Sequence, residues 1–280
     1  MKDLFIDTLR KVWALRAGRA GIVILTLAFL SAAFLPLITQ SPIVQANIEE
    51  GATRPSTHHV LGTDQLNRDI LARIVWGGRT SLTVAFLSVL LSVTLGAMVG
   101  LVAGYHGGWL DALLMRLVDG ALSIPRLFIL LLLLALQQDI GLTMFILVLG
   151  TTGWFGVSRI VRGEALRLRH ASYVQAAEAL GARSHRVIFR HLFPNAMGPL
   201  LVAATLGVGD VILLEAGLSF LGLGIMPPTP SWGGMIHESR EIMFTGWWTN
   251  VFPLLSIVIT VLAVNLVGEA LRDVLDPMNA

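Results

Sequence analysis

The chain of 280 residues carries 14% charged side chains against 55% hydrophobic ones, where soluble domains average about 25% charged, and a mean hydropathy of +0.75 makes it an integral membrane protein. A formal net charge of +2 gives no basis for nucleic-acid binding, and the absence of cysteine excludes disulfides, thiolate metal sites and cysteine nucleophiles. The only lysines, Lys2 and Lys11, lack the preceding glycine pattern of a P-loop, so ATP is not bound here in that manner.

Residues 1–19 interleave Lys2, Arg10, Lys11, Arg16 and Arg19 with Leu4, Phe5, Ile6, Leu9, Val12 and Trp13, the composition of a basic amphipathic helix on the cytoplasmic membrane surface. The apolar run 21–38 is too long for a signal-peptide core and ends in no small-x-small site, so it reads as the first of six spans. An external loop, 40–78, follows. Within it Ile70, Leu71, Ile74 and Val75 form an apolar helical face, which Gly77 and Gly78 are expected to break. The second span, 80–110, sets Gly96, Gly100 and Gly104 at the four-residue spacing that brings helices close in lipid. In the third, Arg116 and Asp119 are spaced to pair with each other. Pro125 kinks the helix, 127–136 is strongly apolar, and Gln137, Gln138 and Asp139 form a tight exit. The fourth span is 140–158.

A polar, basic loop, 160–195, separates it from the fifth span, 197–221, which contains Asp210 and Glu215. A rigid loop, 227–234, carries Pro227, Pro228, Pro230 and Trp232. Trp247 and Trp248 mark an interface, and the sixth span, 251–267, ends at Glu269, Arg272 and Asp273. With the N-terminus inside, fifteen of the twenty Lys and Arg residues fall on the cytoplasmic side and five outside. The bias places both termini, and the stretch 172–195, in the cytoplasm.

That stretch has its own helical grammar. Ser172 with Gln175 three residues later makes a capping-box pattern. Val174, Ala177 and Leu180 are expected on one inward face, and Gly181 is placed to stop the helix. A second short helix starts at Ser184, turns Val187, Ile188 and Leu192 inward, and ends at Pro194, leaving Arg183, Arg186 and Arg190 outside. The small residues Ala176, Ala177, Ala179, Gly181 and Ala182 permit close approach by another backbone, which points to a docking knob. A solvated amphipathic loop is the plainer alternative. A DNA-reading helix-turn-helix fits the basic residues but not a position between membrane spans.

The stretch resembles the EAA loop of ABC-importer permeases: E-A-A, three residues, G, nine residues, I, one residue, L-P. Gln175, Ala176, Ala177, Gly181 and Pro194 fall at matching places, whereas Gln175 replaces the acid, His191 the Ile and Phe193 the Leu. Two further segments resemble one branch, the second permease of dipeptide, oligopeptide and nickel importers. These are Gly62, Thr63, Asp64, Arg68, Asp69 and Arg73 in the pattern G-T-D-x-x-x-R-D-x-x-x-R, and the runs 217–224 and 227–234.

The resemblance implies an all-α permease domain over residues 20–280, in the bacterial inner membrane, with a cytoplasmic coupling helix between spans four and five. It implies a heterodimer with a homologous permease, two cytoplasmic ATPase subunits that hold the ATP and magnesium, and an extracytoplasmic substrate-binding protein. This chain itself would bind no cofactor and move substrate by alternating access. On this reading the ATPase contact comprises Gln175, Ala176, Ala177, Leu180, Gly181, Ala182, Arg183 and Pro194, and the binding-protein contact Pro227, Pro228, Pro230 and Trp232. The expected cargo is di- or oligopeptide, with nickel or another small solute as the alternative.

Catalytic patterns are lacking. His237-Glu238 does not continue to H-E-x-x-H, and Gly217-Leu-Ser219-Phe-Leu221 is not G-x-S-x-G. Adjacent His58 and His59 converge poorly on a metal. The charges of 61–82 are expected to cap and pair within a short interfacial helix. Asp210 and Glu215 are ionisable groups at membrane depth, which either line a translocation path or pair between helices. Were they a proton relay, the chain would instead be an ion-coupled secondary transporter, but no inverted repeat or matched pair of interrupted helices supports that.

Overall fold

The computed structural model describes residues 2–34, 51–137, 140–225 and 227–275, with side chains from Asp7 onward. The expected exit at Gln138 and Asp139 and positions 40–50 of the external loop lie outside these residues. The described residues form helices and loops, with one isolated antiparallel bridge between Thr63 and Asp69.

α1 (Lys2–Ala14) and α2 (Arg16–Phe34) are followed by the long α3 (Ile70–His106). Next come α4 (Gly108–Leu122), α5 (Arg126–Ala135) and α6 (Leu142–Arg169), then the short α7 (Ser172–Ala179) and α8 (Ser184–Val187). A π turn (Ile188–Leu192) leads into α9 (Phe193–Phe220), and α10 (Trp232–Glu238) and α11 (Trp248–Leu275) complete the chain. Five helical rods are long and apolar enough to cross a membrane: α2, α3, α6, Ser184–Phe220 and α11. The pair α4 and α5, bent by 78°, passes the same test as a broken sixth. The bend falls where Pro125 stands as the N-cap of α5, because proline withholds a donor and its ring clashes with the preceding turn.

In lipid the hydrophobic effect does not distinguish a partner helix from an acyl chain, so close packing of small residues carries association. α3 and α6 form the most extensive helix pair. A Cβ on Gly96 would stand 2.6 Å from Val157 Cβ; one on Gly100, 2.6 Å from the Ser158 carbonyl oxygen; one on Gly104, 2.6 Å from Ala165 Cβ. The four-residue glycine repeat is thus the seam for α6. The main core joins Val84, Ala85 and Val89 of α3 to Leu130 and Leu134 of α5, Phe145 and Leu149 of α6, and Ile212 and Leu218 of α9. Large apolar side chains left exposed, among them Leu27, Phe86, Met98 and Leu132, suit lipid or a second protein rather than water.

Three expectations are corrected. Gly77 and Gly78 do not break the helix, which starts seven residues earlier and runs through them. A Cβ on Gly78 would stand 3.0 Å from the Trp232 ring, and one on Gly77 3.3 Å from the Ser231 backbone, so both admit the α10 segment rather than end α3. Pro194 does not terminate its helix either. It stands in the first turn of α9, just past the π turn, whose wider ring is closed by the Phe193 N–H on the Ile188 carbonyl, and a proline at a helix start withholds a donor that needs no partner. Arg116 and Asp119 are not paired with each other: Asp119 bonds Arg159 of α6, and Arg162 of the same helix grips Asp111 bidentately at 2.5 and 2.6 Å. These bridges tie α4 to α6.

Candidate functional site

The hairpin of α7 and α8 grows directly out of the bundle. α6 ends at Arg169, and Ala171 caps α7 through its carbonyl, which accepts the N–H groups of Val174 and Gln175. Ser172 is the first residue of α7 and not its cap, so the expected capping box does not form; the Gln175 side chain instead reaches back to the His170 carbonyl at 3.4 Å. The helix closes as anticipated at Gly181, whose φ of +82° is left-handed. The Ala182 N–H bonds the Ala177 carbonyl and the Gly181 N–H bonds the Glu178 carbonyl, the pair of bonds that defines a Schellman closure. No atom lies within 4 Å of a Cβ built on Gly181. Conformation, not crowding within the chain, demands the glycine.

Val174 is fully buried and roots α7, but Leu180 is 90% exposed. It is the residue at which the helix ends, with ψ of 6°, so the helical period that placed it inward no longer applies. The second half behaves as the spacing implied. Val187, Ile188 and Leu192 are buried among Leu101, Tyr105, Val161 and Leu168, while Arg183, Arg186 and Arg190 face outward. The Tyr105 hydroxyl of α3 interacts with Glu178 and Ser184, one from each arm of the hairpin. Of the remaining expected contact residues, Gln175, Ala176 and Pro194 are exposed and Ala177 and Ala182 half-buried. The hairpin is a small-sided knob on a packed base.

At the opposite end of α3 lies a charged clasp. Asp64 Oδ2 accepts Arg68 Nε at 2.6 Å and Arg73 Nη1 at 2.5 Å. Glu238 of α10 accepts Arg68 Nη2 at 2.5 Å and Arg73 Nη2 at 3.0 Å from each carboxylate oxygen. Burial of Arg68 lowers its pKa, but Asp64 and Glu238 outweigh that and raise it above the ordinary arginine value. Asp69 caps α3 through the Ala72 N–H and holds His59 Nδ1 at 2.9 Å. The capping was expected. The pairing with α10 was not, because Glu238 is 165 residues from Arg73 and its H-E-S context carries no local signal. The clasp borders an open cavity of about 530 Å³ whose lining includes Pro227, His237 and Arg240.

Trp232 does not face outward from the 227–234 loop. It is 4% exposed, with its Nε1 bonded to the Ile74 carbonyl at 3.0 Å and its backbone N–H to Ser81 Oγ at 3.3 Å. Pro230 is buried too, which leaves Pro227 and Pro228 as the exposed residues among those singled out in this loop. The same Ser81 hydroxyl donates to Glu215 at 3.0 Å, and Ser219 donates at 2.8 Å. Glu215 is completely buried, held between α3 and α9 by hydroxyls that the sequence did not single out. Asp210, five residues earlier, is exposed and acts electrostatically on Arg126, which donates to the Leu149 carbonyl at 2.6 Å. The two acids therefore occupy different settings.

Among proteins of known function, the chain is 40% identical over 258 residues to the dipeptide transport system permease protein DppC of Alkalihalophilus pseudofirmus, covering 92% of this chain and 84% of that one. It is 36% identical over 275 residues to the oligopeptide transport system permease protein OppC of Bacillus subtilis (98% and 90% covered). To the glutathione transport system permease protein GsiD of Pectobacterium atrosepticum it is 35% identical over 269 residues (96% and 88%). A solved chain of the MetNI methionine ABC transporter, in inward facing conformations, superposes with a TM-score of 0.60 at 20% identity, covering 73% of this chain and 97% of that one, and so shares the fold. Residues 96–279 match the model for the binding-protein-dependent transport system inner membrane component, and with a bundle of apolar spanning helices joined by a packed, exposed knob the chain belongs to that family of ABC-importer permeases of the bacterial inner membrane.

Proposed function

We propose that this chain pairs with a homologous permease to form the pathway of an ATP-driven importer of di- or oligopeptides, with two ATPase subunits on the cytoplasmic side and a substrate-binding protein outside. The observation that carries the proposal is the hairpin closed at Gly181. It projects Gln175, Ala176, Leu180, Gly181 and Arg183 away from a buried base, and its second arm continues through the π turn as one helical rod, Ser184–Phe220. A push on a loose loop dissipates locally. A push on this hairpin moves a rod of 37 residues, about 55 Å long at helical rise, whose far end carries Glu215 and Ser219.

The excess of Lys and Arg supports cytoplasmic termini and a cytoplasmic hairpin. ATP-driven closure of the ATPases would then tilt the rod against α3 and alternate the side from which the pathway opens. Glu215, fully enclosed and doubly hydrogen-bonded, acts as a fastener between α3 and α9. Asp210, exposed on α9, is the better placed of the two acids to meet substrate or the second permease. Pro227 and Pro228 present the outer loop to the binding protein. The peptide cargo is inferred from the relatives whose names specify dipeptide, oligopeptide and glutathione.

The test is reconstitution of the full complex in proteoliposomes. Uptake of a labelled dipeptide that requires ATP inside the ATPase compartment supports the proposal. Uptake by this chain without ATPase subunits, driven by an ion gradient, rejects it in favour of a secondary transporter.

A further inference from the structure

The α7 tip accounts for only part of the exposed hairpin. Between residues 172 and 195 stand three arginines, Arg183, Arg186 and Arg190, against one acid, Glu178, and Glu178 is engaged with Tyr105. All three arginines are exposed, as is His185. Among the described residues, the ion pairs of the neighbouring helices go to Arg159, Arg162 and Arg167 instead. Two large apolar side chains sit among the free cations: Leu180, 90% exposed, and Phe189, 66% exposed. His185, Arg186, Phe189, Arg190 and Pro194 line one shallow, open depression of about 540 Å³.

Such a patch suits either anionic lipid headgroups or an acidic protein surface, and helix length decides between them. At an average tilt of about 20°, a hydrocarbon core of about 30 Å takes roughly 21 residues. Counted back from Phe220, the span is used up near Pro199. Arg190 then lies roughly 13 Å, and Arg183 roughly 23 Å, beyond the hydrocarbon edge, past a headgroup layer of about 5–7 Å. With the end of α9 at Phe220 set at the outer hydrocarbon edge, the tip of the patch, Arg183 and Leu180, stands clear of the headgroups and within reach of a protein.

We propose that the groove receiving this hairpin is walled by carboxylates and floored by apolar side chains, with Leu180 and Phe189 as its anchors and Arg183, Arg186 and Arg190 as its charge contacts. This rests on the docking reading above and gives that groove its chemistry. The attachment is inverted relative to the EAA pattern, in which the hairpin itself brings the acid. Here Gln175 is neutral, and the hairpin brings the cations.

The experiment is co-purification of the full complex in mild detergent at about 50 and about 500 mM salt, a range over which exposed charge pairs are screened. Wild type is compared with the charge reversal R183E/R186E/R190E and with R183K/R186K/R190K, which keeps the charge. The expected result is that reversal lowers ATPase recovery at low salt by about tenfold or more, that the lysine variant retains it, and that all three recover the second permease equally, which reports an intact fold. Undiminished ATPase recovery by the reversed variant overturns the proposal, as does a loss confined to binding of anionic-lipid nanodiscs. Equal losses in the reversed and lysine variants overturn the charge argument. Failure of the wild type to recover any ATPase, at either salt, rejects the docking reading itself.

Discussion

Arg73 on α3 donates through Nη2 to both carboxylate oxygens of Glu238 on α10, at 3.0 Å each, across 165 residues of chain. Arg73 is 2% exposed, and its buried charge is compensated by the two acids it meets, Glu238 and Asp64. The contact fastens the segment after α9 to the start of α3. Replacing Glu238 with Ala leaves two arginines sharing one carboxylate and is expected to cost about 2–3 kcal/mol; the cost of breaking a buried pair is reduced here because Glu238 is partly exposed. Asp at this position should recover part of it. Thermal unfolding in detergent measures both, and an unchanged midpoint for Glu238→Ala would show the clasp to be dispensable.

The α3–α6 seam gives a sharper contrast, since glycines that meet a neighbour can be compared with glycines that meet none. A Cβ on Gly100 would stand 2.6 Å from the Ser158 carbonyl oxygen and 2.8 Å from Val161 Cβ, whereas one on Gly163 of α6 meets nothing within 4 Å. Gly100→Leu should therefore drive the two helices apart and lower the yield of monodisperse complex severely, by overpacking costs of about 3 kcal/mol or more. Gly163→Ala should be neutral or slightly stabilising, because alanine is the better helix former by about 1 kcal/mol. Size-exclusion profiles and unfolding midpoints of the two variants read the difference directly.

The contrast also explains what the sequence made legible. Gly96, Gly100 and Gly104 were readable because one helix face repeats locally, and Gly181 because a helix end has a local signature. Gly77 and Gly78 were not. Glycine before an apolar run reads equally as a stop or as room for a neighbour, and the neighbour, Trp232, lies more than 150 residues away. Pro194 misled for a related reason: a proline ends a helix or starts one, and the π turn that precedes it leaves no mark in composition. Leu180 was placed by a period that stopped one residue too early. The clasp of Asp64, Arg68 and Arg73 with Glu238, and the hydroxyls of Ser81 and Ser219 around Glu215, were hidden because each depends on tertiary contact rather than spacing along one element.

Glu215 tests whether an acid at membrane depth is a fastener or part of the path. Its two oxygens accept hydrogen bonds from Ser81 and Ser219 at 3.0 and 2.8 Å; a carboxamide keeps one acceptor oxygen for one serine and offers its NH2 to the other, whose hydroxyl turns to accept it. Glu215→Gln should keep both stability and transport, while Glu215→Ala should lose about 1–3 kcal/mol by leaving buried hydroxyls without their acceptor. Transport by Glu215→Gln that fails while the unfolding midpoint stays at the wild-type value would assign the acid to the path.

Gly181 separates folding from coupling. Its φ of +82° costs any side chain roughly 1 kcal/mol, but no atom of this chain lies within 4 Å of the Cβ position. Gly181→Ala should thus insert normally and lose little stability. Gly181→Leu should insert as well, since the strain is local to an exposed turn, yet place a bulky side chain where the proposed docking would bring a partner backbone. The expected outcome is membrane abundance near wild type for both, with uptake reduced moderately in the alanine variant and abolished in the leucine variant, together with loss of ATPase stimulation by loaded binding protein. Immunoblotting of membranes beside uptake assays in the same cells makes the comparison. Full transport by the leucine variant would mean that the turn stays solvated throughout the cycle and that coupling runs through another surface.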